Sequence, residues 1–161
     1  MKSIRKMKGL SIVEFTLVAT ALLLIMMALI EIGRYIYSLQ LINEMTRASA
    51  RLAVVCRVED RDDIPALVVP SNAPGGFTSD NLAVDYLDSG GSPVDIAGGA
   101  AFTDIRFVRA RVVDFNYQFA GLMSVFDDLG LIAVPEFESV RPRESLGIYP
   151  TSDGSQSEND C

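Results

Sequence analysis

Residues 10–30 read LSIVEFTLVATALLLIMMALI, and this stretch decides how the chain is organised. It has no glycine or proline, and Glu14 is its single charged residue. Leucine, methionine and alanine dominate its second half, which favours a helix. At about 1.5 Å per residue such a helix is roughly 30 Å long, the thickness of a bilayer's hydrocarbon core. The stretch therefore predicts a transmembrane helix over residues 10–30.

Basic residues cluster before this stretch, and no such cluster follows it. The cluster consists of Lys2, Arg5, Lys6 and Lys8. Because cytoplasmic flanks carry the excess of lysine and arginine, the N-terminus is expected in the cytoplasm. Everything after about Glu31 is then expected on the far side of the membrane.

Three interpretations of the apolar stretch are open. A secretory signal peptide would need a cleavage site close to the end of the stretch, whereas the A-x-A sequence Ala48-Ser49-Ala50 lies about 20 residues beyond it. A plain membrane anchor explains the length and orientation but leaves Glu14 as an accident, which the membrane edge tolerates. The third interpretation is cleavage after Gly9, which makes Leu10 the new N-terminus and Glu14 the fifth residue of the mature protein.

The third interpretation rests on a resemblance. The sequence KG followed by LSIVEF resembles the leader and cleavage site of type IV pilins and pseudopilins, in which a prepilin peptidase cuts after the glycine. The longer segment Val13–Val54 is similar to the TadE group of pseudopilins of the tight-adherence (Flp) pilus system. Ser49 stands where that group often has glycine, and the span opens with Leu10-Ser11 instead of an alanine-rich sequence. The matching positions are Val13-Glu14-Phe15, Glu31, Gly33, Arg34, Tyr37, Gln40 and Ala50-Arg51 with Ala53.

This resemblance implies a minor pseudopilin of the bacterial inner membrane, with its C-terminal domain in the periplasm or in the pilus at the cell surface. Its implied partners are the prepilin peptidase, other pilus subunits, the inner-membrane assembly platform and the membrane itself. The implied role is pilus assembly, surface adherence or biofilm formation. The alternative is an uncleaved single-pass membrane protein with an extracytoplasmic binding domain.

Glu14 has a physical explanation if the chain is cut after Gly9. Cleavage creates an α-ammonium group on Leu10, one helical turn from the Glu14 carboxylate. An opposite charge nearby favours the ionised carboxylate at low dielectric. The resemblance implies that in an assembly the glutamate of one subunit meets the N-terminus of its neighbour, so Glu14 is predicted to act in assembly.

The remainder of the chain predicts an α+β fold, in which a long N-terminal helix precedes a small extracytoplasmic domain with a short antiparallel sheet. Apolar positions at three- and four-residue steps extend the helix beyond the membrane as an amphipathic helix with one apolar stripe. These positions are Ile32, Tyr35, Ile36, Leu39, Ile42 and Met45. Alternating or β-branched residues predict strands over Leu82–Leu87, Asp104–Phe119 and Leu131–Glu138. Leu122–Leu129 is predicted as a short helix or turn. The domains are a leader at 1–9, the transmembrane helix at 10–30, its extracytoplasmic continuation at 31–57, and an α+β domain at 58–161 with a loose C-terminal tail. The tail, Ser152–Asp160, is polar and is expected to be loose unless Cys161 ties it down.

Charge and residue content argue against several functions. Loss of Met1–Gly9 removes all three lysines and leaves 10 basic side chains against 21 acidic ones, a net charge of −11. An acidic body of this kind does not suit nucleic acid. The chain has no histidine, and no catalytic constellation emerges, so it is not expected to be an enzyme. The acidic segment Glu59–Asp63 lacks the spacing of a calcium loop, and neither a metal nor a cofactor is predicted.

The chain has two cysteines, Cys56 and Cys161. The predicted orientation places both beyond the membrane, where disulfides form and persist. A bridge between them would join the end of the long helix to the C-terminal residue. The open alternative is a pair of free thiols.

Overall fold

The computed structural model describes residues 8–96, 102–119, 121, 124, 134–153, 155–158 and 161. Its first element is the helix α1 (Lys8–Ala53), which is followed by the short helix α2 (Ile64–Val68). The strands are β1 (Leu82–Leu87), β2 (Phe107–Val112), β3 (Glu138–Pro142), β4 (Ile148–Pro150) and β5 (Gln156–Glu158). The α+β fold predicted from the sequence, a long apolar N-terminal helix followed by a small domain with a short antiparallel sheet, is confirmed.

The chain divides into two compact units. The first contains Met1–Tyr37 and Phe119–Ala133, and the second contains Ser38–Gln118 and Val134–Cys161. In the first unit the large apolar side chains of α1 are exposed, for example Ile12 at 66% and Phe15 at 74%. The Tyr35 and Phe119 rings of this unit pack together, with their centroids 5.1 Å apart. The exposed apolar surface needs an apolar environment of its own, because water would leave it unfavourably solvated.

In the second unit, three antiparallel strands form a sheet in the order β1-β2-β3. Ala110, at the centre, pairs with Val84 on one side and Ser139 on the other. The last two strands of the chain, β4 and β5, form a separate antiparallel pair. Among the described residues, β1 and β3 are therefore the two edge strands of the three-stranded sheet.

The core of the second unit contains residues from the end of α1 and from one face of the sheet. Ala50 and Ala53 of the helix belong to the same buried cluster as Tyr86, Val108 and Ala110. Small helical residues are suited to such a contact, because they let the helix backbone approach the strands closely. A second cluster contains Ile42 and Met45 of α1 with Phe77 and Leu82.

Some predicted elements differ in extent. The strand over Leu82–Leu87 is confirmed as β1. The strand predicted over Asp104–Phe119 is shorter, because Phe102–Asp104 is a 3-10 turn and β2 ends at Val112. Of the last strand predicted, over Leu131–Glu138, residues 131–133 lie outside the described residues, residues 134–137 are not in a strand, and β3 begins at Glu138.

The tail Ser152–Asp160, predicted to be loose unless Cys161 ties it down, contains β5, which pairs with β4, and Cys161 is bonded to Cys56. The Thr151 amide also donates to the Ser155 carbonyl at 2.9 Å. The predicted helix or turn at Leu122–Leu129 lies outside the described residues, apart from Ser124.

Candidate functional site

The predicted processing and assembly residues share one continuous helix. Gly9 and Leu10 lie in the first turn of α1, and Glu14 lies one turn further on. With a rise of about 1.5 Å per residue, Leu10 and Glu14 are roughly 6 Å apart along the helix axis. The Glu14 side chain is exposed, and the described residues offer it no hydrogen-bond or ion-pair partner. The helix thus presents a carboxylate on an otherwise apolar surface.

One helix of the described residues is long and apolar enough to cross a membrane, judged by its length and composition. Within Ile12–Ala53, the most apolar stretch of 18 residues has a mean hydropathy of 2.4. Thr16 donates its hydroxyl to the Ile12 carbonyl at 2.8 Å, so a polar group on this surface is satisfied within the helix. Such internal satisfaction is what a lipid environment requires.

The end of α1 is joined to the C-terminus. Cys56 is fully buried and forms a disulfide bond with Cys161, with 5.7 Å between the Cα atoms. The Leu146 amide donates to the Val54 carbonyl at 3.0 Å, so a second contact holds the C-terminal segment at the same place. Gly147 fits here because it has a φ of +83° and a Cβ would lie 2.7 Å from the Arg57 backbone nitrogen. The disulfide therefore joins the C-terminal residue to the end of α1 at a place where the two segments also pack together.

The buried face of α1 includes polar side chains that the apolar periodicity did not predict. Ser38 lies 3.2 Å from the Tyr117 hydroxyl, and Thr46 donates to the Ile42 carbonyl at 2.9 Å. Ser49 is also buried. In contrast, Ile32 and Ile36, which were predicted to belong to an amphipathic stripe, are 41% and 50% exposed. Small hydroxyl residues replace large apolar ones where the helix packs closely, and no hydropathy pattern reveals that exchange.

Residues after β2 cross back towards α1. The Asn81 side-chain amide donates to the Val113 and Asp114 carbonyls, and the Gln118 backbone N–H donates to the Gly75 carbonyl at 3.1 Å. Tyr117 is buried at the end of this segment, where its hydroxyl reaches Ser38. These bonds replace the strand that the alternating sequence predicted here.

A charged cluster lies on the sheet. Asp85 of β1 accepts hydrogen bonds from Arg109 of β2 and from Arg111, each with a shortest distance of 2.8 Å. Burial raises the pKa of the Asp85 carboxyl, but the two guanidinium groups outweigh burial and the net pKa lies below its ordinary value. The cluster stabilises the pairing of β1 with β2 and offers no proton donor for chemistry near neutral pH.

The acidic segment Glu59–Asp63 forms most of a 3-10 helix, Val58–Asp62. Arg57 pairs with Asp60 at 3.2 Å, and Arg61 pairs with Asp62 at 3.2 Å. Across the part of the chain that the structure describes, no group of three or more potential ligand residues is placed to hold a metal ion. The structure thus gives the segment internal ion pairs.

Burial raises the pKa of the Tyr86 phenol well above its ordinary value. Its hydroxyl and the Ser49 hydroxyl are buried, and neither has a hydrogen-bond partner among the described residues. A phenol held neutral in an apolar core is a packing residue. It is not a candidate acid or base.

These features define a class of protein: one membrane-length helix followed by a small disulfide-linked α+β domain fits a single-pass membrane protein. The family model described as TadE-like protein matches residues 9–51, which confirms the resemblance found in the sequence. The match begins at Gly9 and includes Glu14. The matched family is associated with the tight-adherence pilus and is not a family of enzymes. No curated protein and no solved structure matches the chain.

Proposed function

We propose that this chain is a minor pseudopilin of the tight-adherence pilus. It is made as a precursor and cut between Gly9 and Leu10 by a prepilin peptidase. Its N-terminal helix anchors it in the bacterial inner membrane, with the N-terminus in the cytoplasm and the C-terminal domain in the periplasm. It takes part in pilus assembly with other pilus subunits and the assembly platform, and so supports surface adherence and biofilm formation.

One observation carries this proposal. The exposed apolar helix has a carboxylate, Glu14, one turn after the Gly9–Leu10 bond, and the TadE-like match covers this region. A plain anchor gains nothing from a charge at this place, because the charge only raises the cost of insertion. A subunit that docks through the charge gains a reason to assemble, since the α-ammonium group of a neighbour can pair with it.

Two variants test processing and assembly separately. Gly9→Leu is expected to remain in the membrane at precursor size, whereas Glu14→Leu is expected to be processed and anchored but to assemble poorly. Gly33→Ala is the control for Gly9, because a Cβ at Gly33 meets nothing within 4 Å. The measurements are precursor size, co-purification with pilus components, and adherence of a deletion strain that carries each variant.

The alternative, an uncleaved membrane protein with a binding domain, makes different predictions for the same variants. In that case Gly9→Leu leaves both size and adherence unchanged. Normal adherence and normal co-purification of the Glu14→Leu variant would remove the role proposed for the carboxylate.

A further inference from the structure

Two arginines face one groove in the second unit. Arg51, in the last turn of α1, and Arg141, on β3, line a groove of about 320 Å³. Both residues are exposed, and within the described residues neither makes a hydrogen bond or an ion pair. The groove also contains the apolar residues Val54, Val55 and Pro142, and among the described residues that line it Glu144 is the one acidic residue.

These two arginines differ from most others in the unit, which are already engaged. Engaged arginines include Arg47 with Glu44 at 3.4 Å, Arg57 with Asp60 at 3.2 Å, Arg109 and Arg111 with Asp85 at 2.8 Å, and Arg143 with the Phe102 carbonyl at 3.0 Å. Two guanidinium groups over apolar residues are suited to a partner that brings carboxylates, because guanidinium forms strong, directional bonds with them.

The chain itself carries a matching acidic surface. Glu59 and Asp63 are exposed, and in the described part of the chain their carboxylates have no partner. Between them, Arg61 and Asp62 line a groove along β1. Arg61 and Asp62 of the acidic segment thus lie beside β1, one edge strand of the sheet, whereas Arg141 belongs to β3, the other edge strand.

We propose that the Arg51–Arg141 groove receives the acidic segment Glu59–Asp63 of a second copy of this chain. The contact joins two different surfaces, so in a pair one copy keeps a free groove and the other keeps a free acidic segment. Such a head-to-tail contact closes into a ring or continues as an open filament. The proposal goes beyond the proposed function, because it does not depend on cleavage after Gly9 or on Glu14.

Charge reversal on one surface at a time tests this contact with the full chain in detergent micelles. The first variant, Arg51→Glu with Arg141→Glu, has a disabled groove and an intact acidic segment. The second variant, Glu59→Arg with Asp63→Arg, has an intact groove and a disabled acidic segment. Sedimentation velocity measures the association of each variant and of their equimolar mixture at low and moderate salt.

The wild type is expected to self-associate, and each variant alone is expected to be monomeric. The mixture is expected to associate again in alternation, because the intact groove of the second variant receives the intact acidic segment of the first, and the reversed groove of the first receives the reversed segment of the second. Arg51→Glu alone is expected to weaken association about tenfold or more, since a like charge then faces the acidic segment. Arg106→Glu is the charge-matched control, an exposed arginine outside the groove, and is expected to associate like the wild type.

Circular dichroism and the intact disulfide show whether each variant is folded. A variant carrying all four reversals has both surfaces exchanged and is expected to associate again, which a folding defect could not produce. A monomeric wild type, self-association of either double variant, or a mixture that fails to pair would overturn the proposal. Loss of association in Arg106→Glu equal to that in Arg51→Glu would also overturn it, because the effect would then be one of net charge.

Discussion

At the scale of single residues, the clearest electrostatic effect in the domain belongs to Asp85. Its carboxylate accepts hydrogen bonds from Arg109 and Arg111 of the neighbouring strand. Burial raises the pKa of the Asp85 carboxyl, and the two arginines lower it further than burial raises it. A group with a lower pKa in the folded state stabilises the fold above its unfolded pKa, and this contribution is lost as the pH falls through the folded-state pKa.

Asp85→Asn is therefore expected to lower the free energy of unfolding at pH 7, by about 1 kcal/mol for a half-buried pair. The difference from the wild type should shrink as the pH falls below 3.8, the ordinary pKa of the group, because the wild-type carboxyl then becomes neutral as well. Denaturant titrations at pH values from 7 to 2 measure this difference in unfolding free energy. Asp80→Asn is the control, because Asp80 is exposed and has no partner within the described residues. A constant difference across this pH range would contradict the assignment.

At the scale of elements, the sequence predicted α1 and β1 because each has a strong local signal. The long apolar stretch without glycine or proline predicts the helix, and the sequence LAVDYL, Leu82–Leu87, predicts the strand. The end of β2 was missed because the alternation of apolar and polar residues continues after Val112. There Asp114 has a φ of +48° and the chain leaves the sheet, where it gains bonds to Asn81. Partners distant in sequence decide this ending, and alternation alone cannot show them.

The turn at Gly75 offers a test of this segment. Gly75 has a φ of +68°, and a Cβ there would lie 2.3 Å from the Tyr117 ring. Gly91 has a φ of +80°, and a Cβ there meets nothing within 4 Å. The Gly91→Ala variant therefore measures the effect of backbone strain alone. We expect this strain to lower the free energy of unfolding by about 1 kcal/mol.

Gly75→Ala is expected to cost about 3 kcal/mol, because Tyr117 must also move away from Ser38. Chemical denaturation followed by circular dichroism compares the two variants. Equal losses of stability would show that the packing of Tyr117 on this turn contributes nothing.

At the scale of the whole molecule, the link between Cys56 and Cys161 encloses most of the second unit. The two residues are 105 positions apart in sequence. Closing a loop of that size is worth about 4–5 kcal/mol in the chain-entropy model, a large share of the stability of a small domain. The cysteine pair was predictable from the number of cysteines and the expected compartment. The β4–β5 pair next to it was not, since Ser152–Asp160 is polar and low in hydrophobicity.

Replacing both cysteines with alanine is expected to lower the melting temperature of the detergent-solubilised protein markedly. Reducing agent should lower the wild type to a similar value and leave the variant unchanged. Non-reducing peptide mapping of protein taken directly from the cell envelope shows whether the bond forms in the cell. Recovery of both cysteines labelled by a maleimide before reduction would exclude it.

The proposed function as a whole depends on where the mature chain begins. Intact-mass measurement of the native protein, extracted from the membranes of cells that have a working prepilin peptidase, tests this most directly. The expected mass is that of a chain that begins at Leu10, with Glu14 as its fifth residue. A native mass that still includes Met1–Gly9 would contradict the proposal that this chain is a processed pseudopilin.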